Sequence, residues 1–136
     1  MKIQEIENEI VEEFEIFEDD WMQKYEHIIE LGKSLPLLTE DLKTDDKLIK
    51  GCQSRVWLHA NFNNGIMSFM ADSDAIITKG LVALIVRVFN NQSPHDIMAA
   101  QLNFINKIGL TEHLTPTRAN GLLSMVQTMK ELASRV

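Results

Sequence analysis

Cysteine is nearly absent from this sequence, whose 136 residues include only Cys52. A single cysteine cannot close a disulfide within the chain, and it cannot supply a metal or cluster site that needs several thiolates. None of the four histidines stands at a zinc-binding spacing from Cys52, so we expect no metal site. Free thiols are typical of reducing compartments, which predicts a cytoplasmic protein.

Basic charge and long apolar runs are scarce as well. The chain has 13 lysines and arginines against 20 acidic residues, for a net charge of −7. This balance predicts no binding to nucleic acid or to anionic membranes, because both require a basic surface. The longest apolar run covers residues 81–86, whereas a membrane-spanning helix needs about 20 residues. The acidic, periodic N-terminus also differs from a signal or transit peptide.

Hydrophobic spacing predicts the fold class. Apolar residues three and four apart predict helices over 3–17, 21–35, 76–89 and from 116 onward, with a short helix over 93–100. The acidic face of the first helix is interpreted as a solvated surface, with docking of a basic partner as the alternative. Strand patterns occur at Leu48-Ile49 and on both sides of Asn64-Gly65. We therefore expect one domain over residues 1–136, an α+β fold in two layers. Its small three-stranded antiparallel sheet is covered on one face by helices.

The dipeptide Asn64-Gly65 predicts a two-residue hairpin turn, because both positions of such a turn need positive φ. This turn fixes the register of the two strands, and a slip of one residue would expose half of the apolar side chains. The predicted pairs are Asn63 with Ile66, Phe62 with Met67, Ala60 with Phe69, and Leu58 with Ala71.

Cys52 lies directly before the first hairpin strand, where Gly51 permits a tight turn. The nearby Lys50, Gln53 and Arg55 are polar or cationic, and positive neighbours lower the pKa of a thiol. With no second cysteine to resolve a disulfide, such a thiol suits carrying a group better than redox cycling.

Two alternatives remain open for the cysteine. The first is a small thiol enzyme, in which His59 or His113 would be the base for Cys52. The second is a partner-binding adaptor, in which Cys52 is merely a small buried residue.

Five segments of the chain, in this order, carry a more specific signal. They are KYEHIIELGKSLP (24–36), IKGCQSRVWL (49–58), DSDAIITKGLVAL (72–84), SPHDI (93–97) and LTEHLTPTRANGL (110–122). With these segments the chain resembles the SufE-type sulfur-acceptor proteins of iron–sulfur cluster assembly, a group that includes the CsdE-like proteins. The resemblance implies the two-layer fold shared with IscU-type scaffolds, and it makes a homodimer an expectation.

The resemblance also implies a function. Cys52 would accept sulfane sulfur as a persulfide from a cysteine desulfurase of the SufS or CsdA type, stimulate that enzyme, and pass the sulfur to a SufB-type scaffold complex. Pyridoxal phosphate would belong to the desulfurase, so the chain itself would be a covalent carrier without a cofactor and not an enzyme. Which of the two paralogous systems it serves stays open.

Further site residues follow from the matched segments. Arg118 matches a basic position of the family, and two roles stay open for it. It would lie near Cys52, where its charge would stabilise a thiolate or persulfide anion, or it would be a surface arginine near the start of the last helix. His113 is expected to have a structural hydrogen-bonding role. Asp74 is predicted to cap the following helix, with contact to the Cys52 loop as a second hypothesis. Gly51 and Gln53 flank the cysteine.

Shelter for the sulfur is a further hypothesis. The turn would rest over Val56, Leu58, Phe69 and the helix after Asp74, and would swing outward to deliver its sulfur.

Overall fold

The computed structural model describes residues 1–35, 38–52 and 54–136. Seven helices and two strands follow one another in this part of the chain, with 3-10 turns at Glu40–Leu42 and Asp45–Lys47. The elements are α1 (Ile3–Glu15), α2 (Trp21–Lys33), β1 (Val56–Asn63), β2 (Ile66–Ser73), α3 (Ile76–Phe89), α4 (Pro94–Ala99), α5 (Phe104–Lys107), α6 (Leu110–His113) and α7 (Pro116–Ser134). The α+β class is as expected.

The hairpin has the predicted register, with Asn63 opposite Ile66 and each of the three other predicted pairs in place. The sheet, however, has two strands in the described residues, so the prediction of three was wrong. Leu48 forms only an isolated bridge with Trp57. The reason is local: a 3-10 turn occupies the residues before Leu48, and the turn that contains Gly51 begins at Lys50, directly after Ile49. Too few residues remain for an extended ladder.

Helix α3 forms the centre of the core. Its residues from Gly80 to Val86, with Val88 and Phe89, are buried, as expected for a helix that is apolar almost all round. Helix α2 approaches α3 so closely that a Cβ atom on Gly80 would collide with the carbonyl oxygen of Ile28. The buried face of the hairpin packs against α3 from the other side, through Met67, Phe69 and Ala71 among others.

Two carboxylates attach α1 to the rest of the domain. Glu13 accepts a hydrogen bond from His27 at 2.8 Å and another from Arg87 at 3.1 Å. Although partial burial acts to raise it, these two bonds hold the pKa of Glu13 below its ordinary value. The buried Glu7 accepts the backbone N–H of Phe104 at 3.2 Å, at the start of α5. The acidic helix therefore has specific contacts on its inner side.

The outer edge of β2 is covered near the hairpin turn. Met67 exchanges backbone hydrogen bonds with the segment after α3, accepting from Asn91 at 2.8 Å and donating to Gln92 at 2.9 Å. The side chain of Asn90 accepts the N–H of Phe69 at 2.9 Å. The loop that ends α3 thus occupies backbone groups that a further strand would need.

None of the helices within the described ranges combines the length and the apolar character needed to cross a membrane.

Candidate functional site

The loop that carries Cys52 lies directly on α7. Gly51 has a φ of +89°, in the left-handed region that glycine adopts without strain. A Cβ atom at Gly51 would lie 2.7 Å from the side-chain oxygen of Ser124. Gly51 therefore permits both the backbone turn and the close approach of the loop to the helix.

The sulfur of Cys52 points inward. The residue is partly buried, and its Sγ donates a hydrogen bond to the carbonyl oxygen of Gly121 at 3.6 Å, within α7. At rest the thiol is therefore held against a helix backbone.

A cavity of about 110 Å³ opens beside this sulfur. One water molecule takes about 30 Å³ of liquid volume, so the cavity has room for one more sulfur atom on Cys52. Apolar side chains and hydroxyl groups line it together with one cation: Ser54, Val56, Thr78, Leu81, Val82, Thr117, Arg118, Gly121, Leu122 and Met125. The walls come from the loop, β1, α3 and α7.

Burial raises the pKa of the Cys52 thiol above its ordinary value. The expectation that its cationic neighbours lower this pKa was wrong. Lys50 and Arg55 are exposed to solvent, where water and salt screen their charges, while the sulfur lies in the less polar cavity. Gln53, the third of these neighbours, lies outside the described residues. The resting thiol is therefore protonated near neutral pH.

Asp74 fastens the end of the loop. Its Oδ1 accepts the backbone N–H of Arg55 at 3.0 Å, and its own N–H donates to the carbonyl of Arg55 at 3.2 Å. The prediction that Asp74 caps α3 was wrong, because Ala75 is the capping position and its N–H bonds to the side chain of Ser73. The second hypothesis, a contact with the Cys52 loop, agrees with this geometry.

Arg118 lies in the first turn of α7 and lines the same cavity as Cys52. Its backbone N–H donates to the side chain of Thr115 at 3.3 Å, which caps the helix. Its guanidinium group forms no ion pair with any other described residue. The positive charge is therefore free to meet an anion at the cavity.

The two candidate bases lie elsewhere. The ring of His113 stacks on Trp21 with 3.8 Å between centroids, and its carbonyl oxygen accepts the hydroxyl of Tyr25 at 2.8 Å. His59 pairs with Met70 within the sheet, and strand alternation places it on the face opposite Val56. The described residues that line the cavity include no histidine and no carboxylate.

Comparison with known proteins assigns the family. A family model described as "SufE: Fe-S metabolism associated domain" matches residues 8–133. The chain belongs to the SufE family. An uncharacterised SufE-like protein from Rhizobium etli is 41% identical over 131 residues, which covers 93% of this chain and 88% of that protein. Another from Rhizobium meliloti is 39% identical, with 93% of each chain covered.

A solved structure supports the fold of this SufE domain. The solution structure of a hypothetical protein from Thermus thermophilus matches with a TM-score of 0.77, covering 96% of this chain and 94% of that one. At 17% identity this likeness concerns the fold alone. The family assignment associates the SufE domain with iron–sulfur metabolism.

Sequence reasoning missed part of the SufE cavity. Of the apolar residues expected to shelter the sulfur, Val56 lines the cavity, whereas Leu58 and Phe69 do not. The missed part of the wall is the stretch of α7 after Arg118, where Gly121 contacts Cys52 directly. A glycine inside a long helical pattern was the available signal, because such a residue lowers helix stability and calls for a packing reason.

A metal centre is not built into the described part of this SufE domain. No group of three or more histidine, cysteine, aspartate or glutamate side chains within it is placed to hold an ion.

Proposed function

We propose that this SufE-family protein is a sulfur carrier, which accepts sulfane sulfur from a cysteine desulfurase as a persulfide on Cys52 and passes it to an iron–sulfur cluster scaffold. One observation carries the proposal. The only cysteine directs its sulfur into a cavity with room for a second sulfur atom, and it stands on a loop outside helix and strand. A carrier that stores its sulfane sulfur inside the cavity and delivers it to a partner outside requires such an arrangement.

The transfer step is an exchange between the thiol of Cys52 and the persulfide of the desulfurase. The Cys52 thiolate attacks the terminal sulfur of the desulfurase persulfide, as in thiol–disulfide exchange. A new S–S bond forms at Cys52 while the S–S bond at the desulfurase breaks, and the desulfurase cysteine leaves as a thiolate. The proton lost by Cys52 balances the thiol regained by the desulfurase. One sulfane sulfur changes place, with no net oxidation or reduction.

The deprotonation of Cys52 and the cofactor of the reaction both come from outside this chain. The cavity has no histidine or carboxylate among its described residues, so deprotonation of Cys52 falls to solvent or to the desulfurase. The same feature disfavours the alternative of an independent thiol enzyme, which would need its own base. We therefore propose a carrier without resident cofactor, loaded by a pyridoxal-phosphate desulfurase of the SufS or CsdA type.

Stimulation of the desulfurase follows from the same step. Removal of the sulfane sulfur regenerates the free thiol of the desulfurase, which is needed for its next turnover. Delivery then takes the sulfur from Cys52 to a SufB-type scaffold complex through a second exchange of the same kind.

Intact mass spectrometry tests the loading step. The protein is incubated with a purified desulfurase and cysteine, then weighed with and without reductant. Wild type is expected to gain one sulfur atom that reductant removes, and Cys52→Ser is expected to gain none. Desulfurase turnover, followed as alanine release, should rise with wild type and not with Cys52→Ser.

Two results would contradict the proposal. One is a wild-type protein that binds the desulfurase without gaining sulfur, which favours the adaptor. The other is turnover of a small substrate by Cys52 with no partner present, which favours the enzyme.

A further inference from the structure

Asp72 is a buried carboxylate near the end of β2 that the proposed transfer steps do not use. Two ammonium groups hold it, the Nζ of Lys43 at 2.8 Å from Oδ2 and the Nζ of Lys79 at 3.2 Å from Oδ1. The backbone N–H of Ser73 also donates to Oδ1, at 2.8 Å. Although burial acts to raise it, these hydrogen bonds hold the pKa of Asp72 below its ordinary value. The group is therefore an ionised and fully paired carboxylate near neutral pH.

The two lysines come from segments that are distant in sequence. Lys79 belongs to α3, whereas Lys43 follows the first 3-10 turn and lies in the segment that leads to the cysteine. The partly buried Lys43 also pairs with Glu40 at 2.9 Å. Its Nζ lies 5.5 Å from the ring centre of Trp57, the residue of β1 that stands opposite Asp72. Lys43 therefore attaches the segment before the cysteine to both strands of the hairpin.

The backbone of this segment has few contacts of its own with the hairpin. Leu48 forms an isolated bridge with Trp57, and the N–H of Ile49 donates to the carbonyl of Val56 at 2.9 Å. Two extended residues make a shorter ladder than the strands of stable sheets. The ion pair between the Lys43 ammonium and the Asp72 carboxylate, hereafter the latch, adds an attachment that the backbone lacks.

We propose that Asp72 and Lys43 are positioning residues, which latch the segment before the cysteine to the hairpin and restrict the movement of the sulfur to a loop of residues 50–55. The inference deepens the proposed function and rests on it, because storage and delivery of a sulfane sulfur require a short loop that moves on fixed ends. Asp74 fastens the downstream end of this loop, and the latch fixes its upstream end at Ile49. Without the latch a longer segment lifts from the hairpin, and the sulfur leaves the cavity more often.

Substitutions of Lys43 remove the latch without leaving a buried charge unpaired. In Lys43→Met the side chain keeps its apolar stem, and Asp72 keeps its ion pair with Lys79. Lys43→Arg is the conservative rescue, because arginine supplies a cation that binds carboxylates. Lys33→Met is the matched control, since Lys33 pairs with Glu30 at 2.9 Å on the exposed surface of α2. If Lys43→Met does not fold, Lys43→Gln takes its place and is judged by the same readouts.

Two readouts separate a released segment from a general loss of stability. The first is the rate at which iodoacetamide alkylates Cys52 at fixed pH, which should be about two- to fivefold higher in Lys43→Met. The second is hydrogen exchange, in which the N–H of Ile49 should exchange faster by a similar factor. The N–H of Phe69, which is bonded at the outer edge of β2, should keep its wild-type rate. Lys43→Arg should return both changed rates toward wild type, and Lys33→Met should change neither.

The inference is overturned if the folded charge-free variant keeps the wild-type rate in either readout. It is also overturned if Lys33→Met changes equally, or if the exchange of Phe69 accelerates with that of Ile49, since general destabilisation would then explain the effect. A Lys43→Arg protein that behaves as Lys43→Met overturns it as well, because the charge would then have no role. Neither readout needs a desulfurase, so this failure differs from failure of the proposed function, which would appear as a wild-type protein that gains no sulfur.

Discussion

Asp74→Ala is expected to free the Cys52 loop at its downstream end. The substitution removes the 3.0 Å hydrogen bond from the backbone N–H of Arg55 to the Asp74 carboxylate, but it keeps the bond from the backbone N–H of residue 74 to Arg55. Asp74 is exposed, so water can replace the lost acceptor, and the net loss is about 0.5–1.5 kcal/mol. Since about 1.4 kcal/mol corresponds to a factor of ten, the population of loops with Cys52 outward should rise about two- to tenfold.

Alkylation kinetics report this population, because an outward thiol reaches the reagent more readily than the partly buried one. The second-order rate at fixed pH should rise by the same factor in Asp74→Ala, with a smaller change in Asp74→Asn, which keeps an acceptor oxygen. Asp41→Ala, at an exposed aspartate of the first 3-10 turn, is the matched control. The reasoning would be refuted by an unchanged rate in a folded Asp74→Ala protein, or by an equal rise in Asp41→Ala.

Three further predictions follow from backbone strain and from the shifted pKa values. Gly51→Ala should lower the free energy of unfolding by about 1–2 kcal/mol or more in denaturant titrations, because it adds both strain and a clash. Gly65→Ala has a similar φ of +80° but nothing within 4 Å, so it should show the strain alone. Since burial raises the pKa of Cys52, the thiol contributes stability below its unfolded pKa that is lost as pH rises through the folded value. Unfolding of Cys52→Ser should lack this alkaline loss. Glu13→Gln should destabilise by less than about 1 kcal/mol, since Glu13 is only partly buried and solvent screens its charge. Because its pKa is lowered, this difference should be present above the unfolded pKa and should vanish as pH falls through the folded one.

The hairpin was predictable because local and tertiary signals agree there. Asn64-Gly65 specifies the turn, and the alternation of apolar residues on both strands allows only one register. The third strand failed for the opposite reason. Leu48 and Ile49 are apolar enough for a strand, but the length of a strand depends on partners and on the turns at its two ends, which composition does not reveal.

The residues of the site were easier to predict than the pKa of its thiol and the hydrogen-bond partners of its side chains. The matched segments pointed to Cys52 and Arg118, and both line the cavity. The pKa direction of the thiol could not be obtained from neighbours in sequence, since it depends on which way the sulfur points. Asp74 shows the same limit, because a carboxylate before a helix can accept a hydrogen bond from any nearby N–H group. In this fold it accepts the backbone N–H of Arg55 in the loop and not an N–H group at the start of α3.

The covered edge of β2 limits how copies of this chain can join through their sheets. Growth of a fibril by strand addition needs two free edges on every subunit, one for each neighbour. Because the segment after α3 already bonds to Met67 and Phe69, β1 offers the more open edge of the described hairpin, which Leu48 bridges only at its beginning, at Trp57. Edge-to-edge pairing would then stop at two copies, so the geometry permits a closed pair and opposes an endless stack.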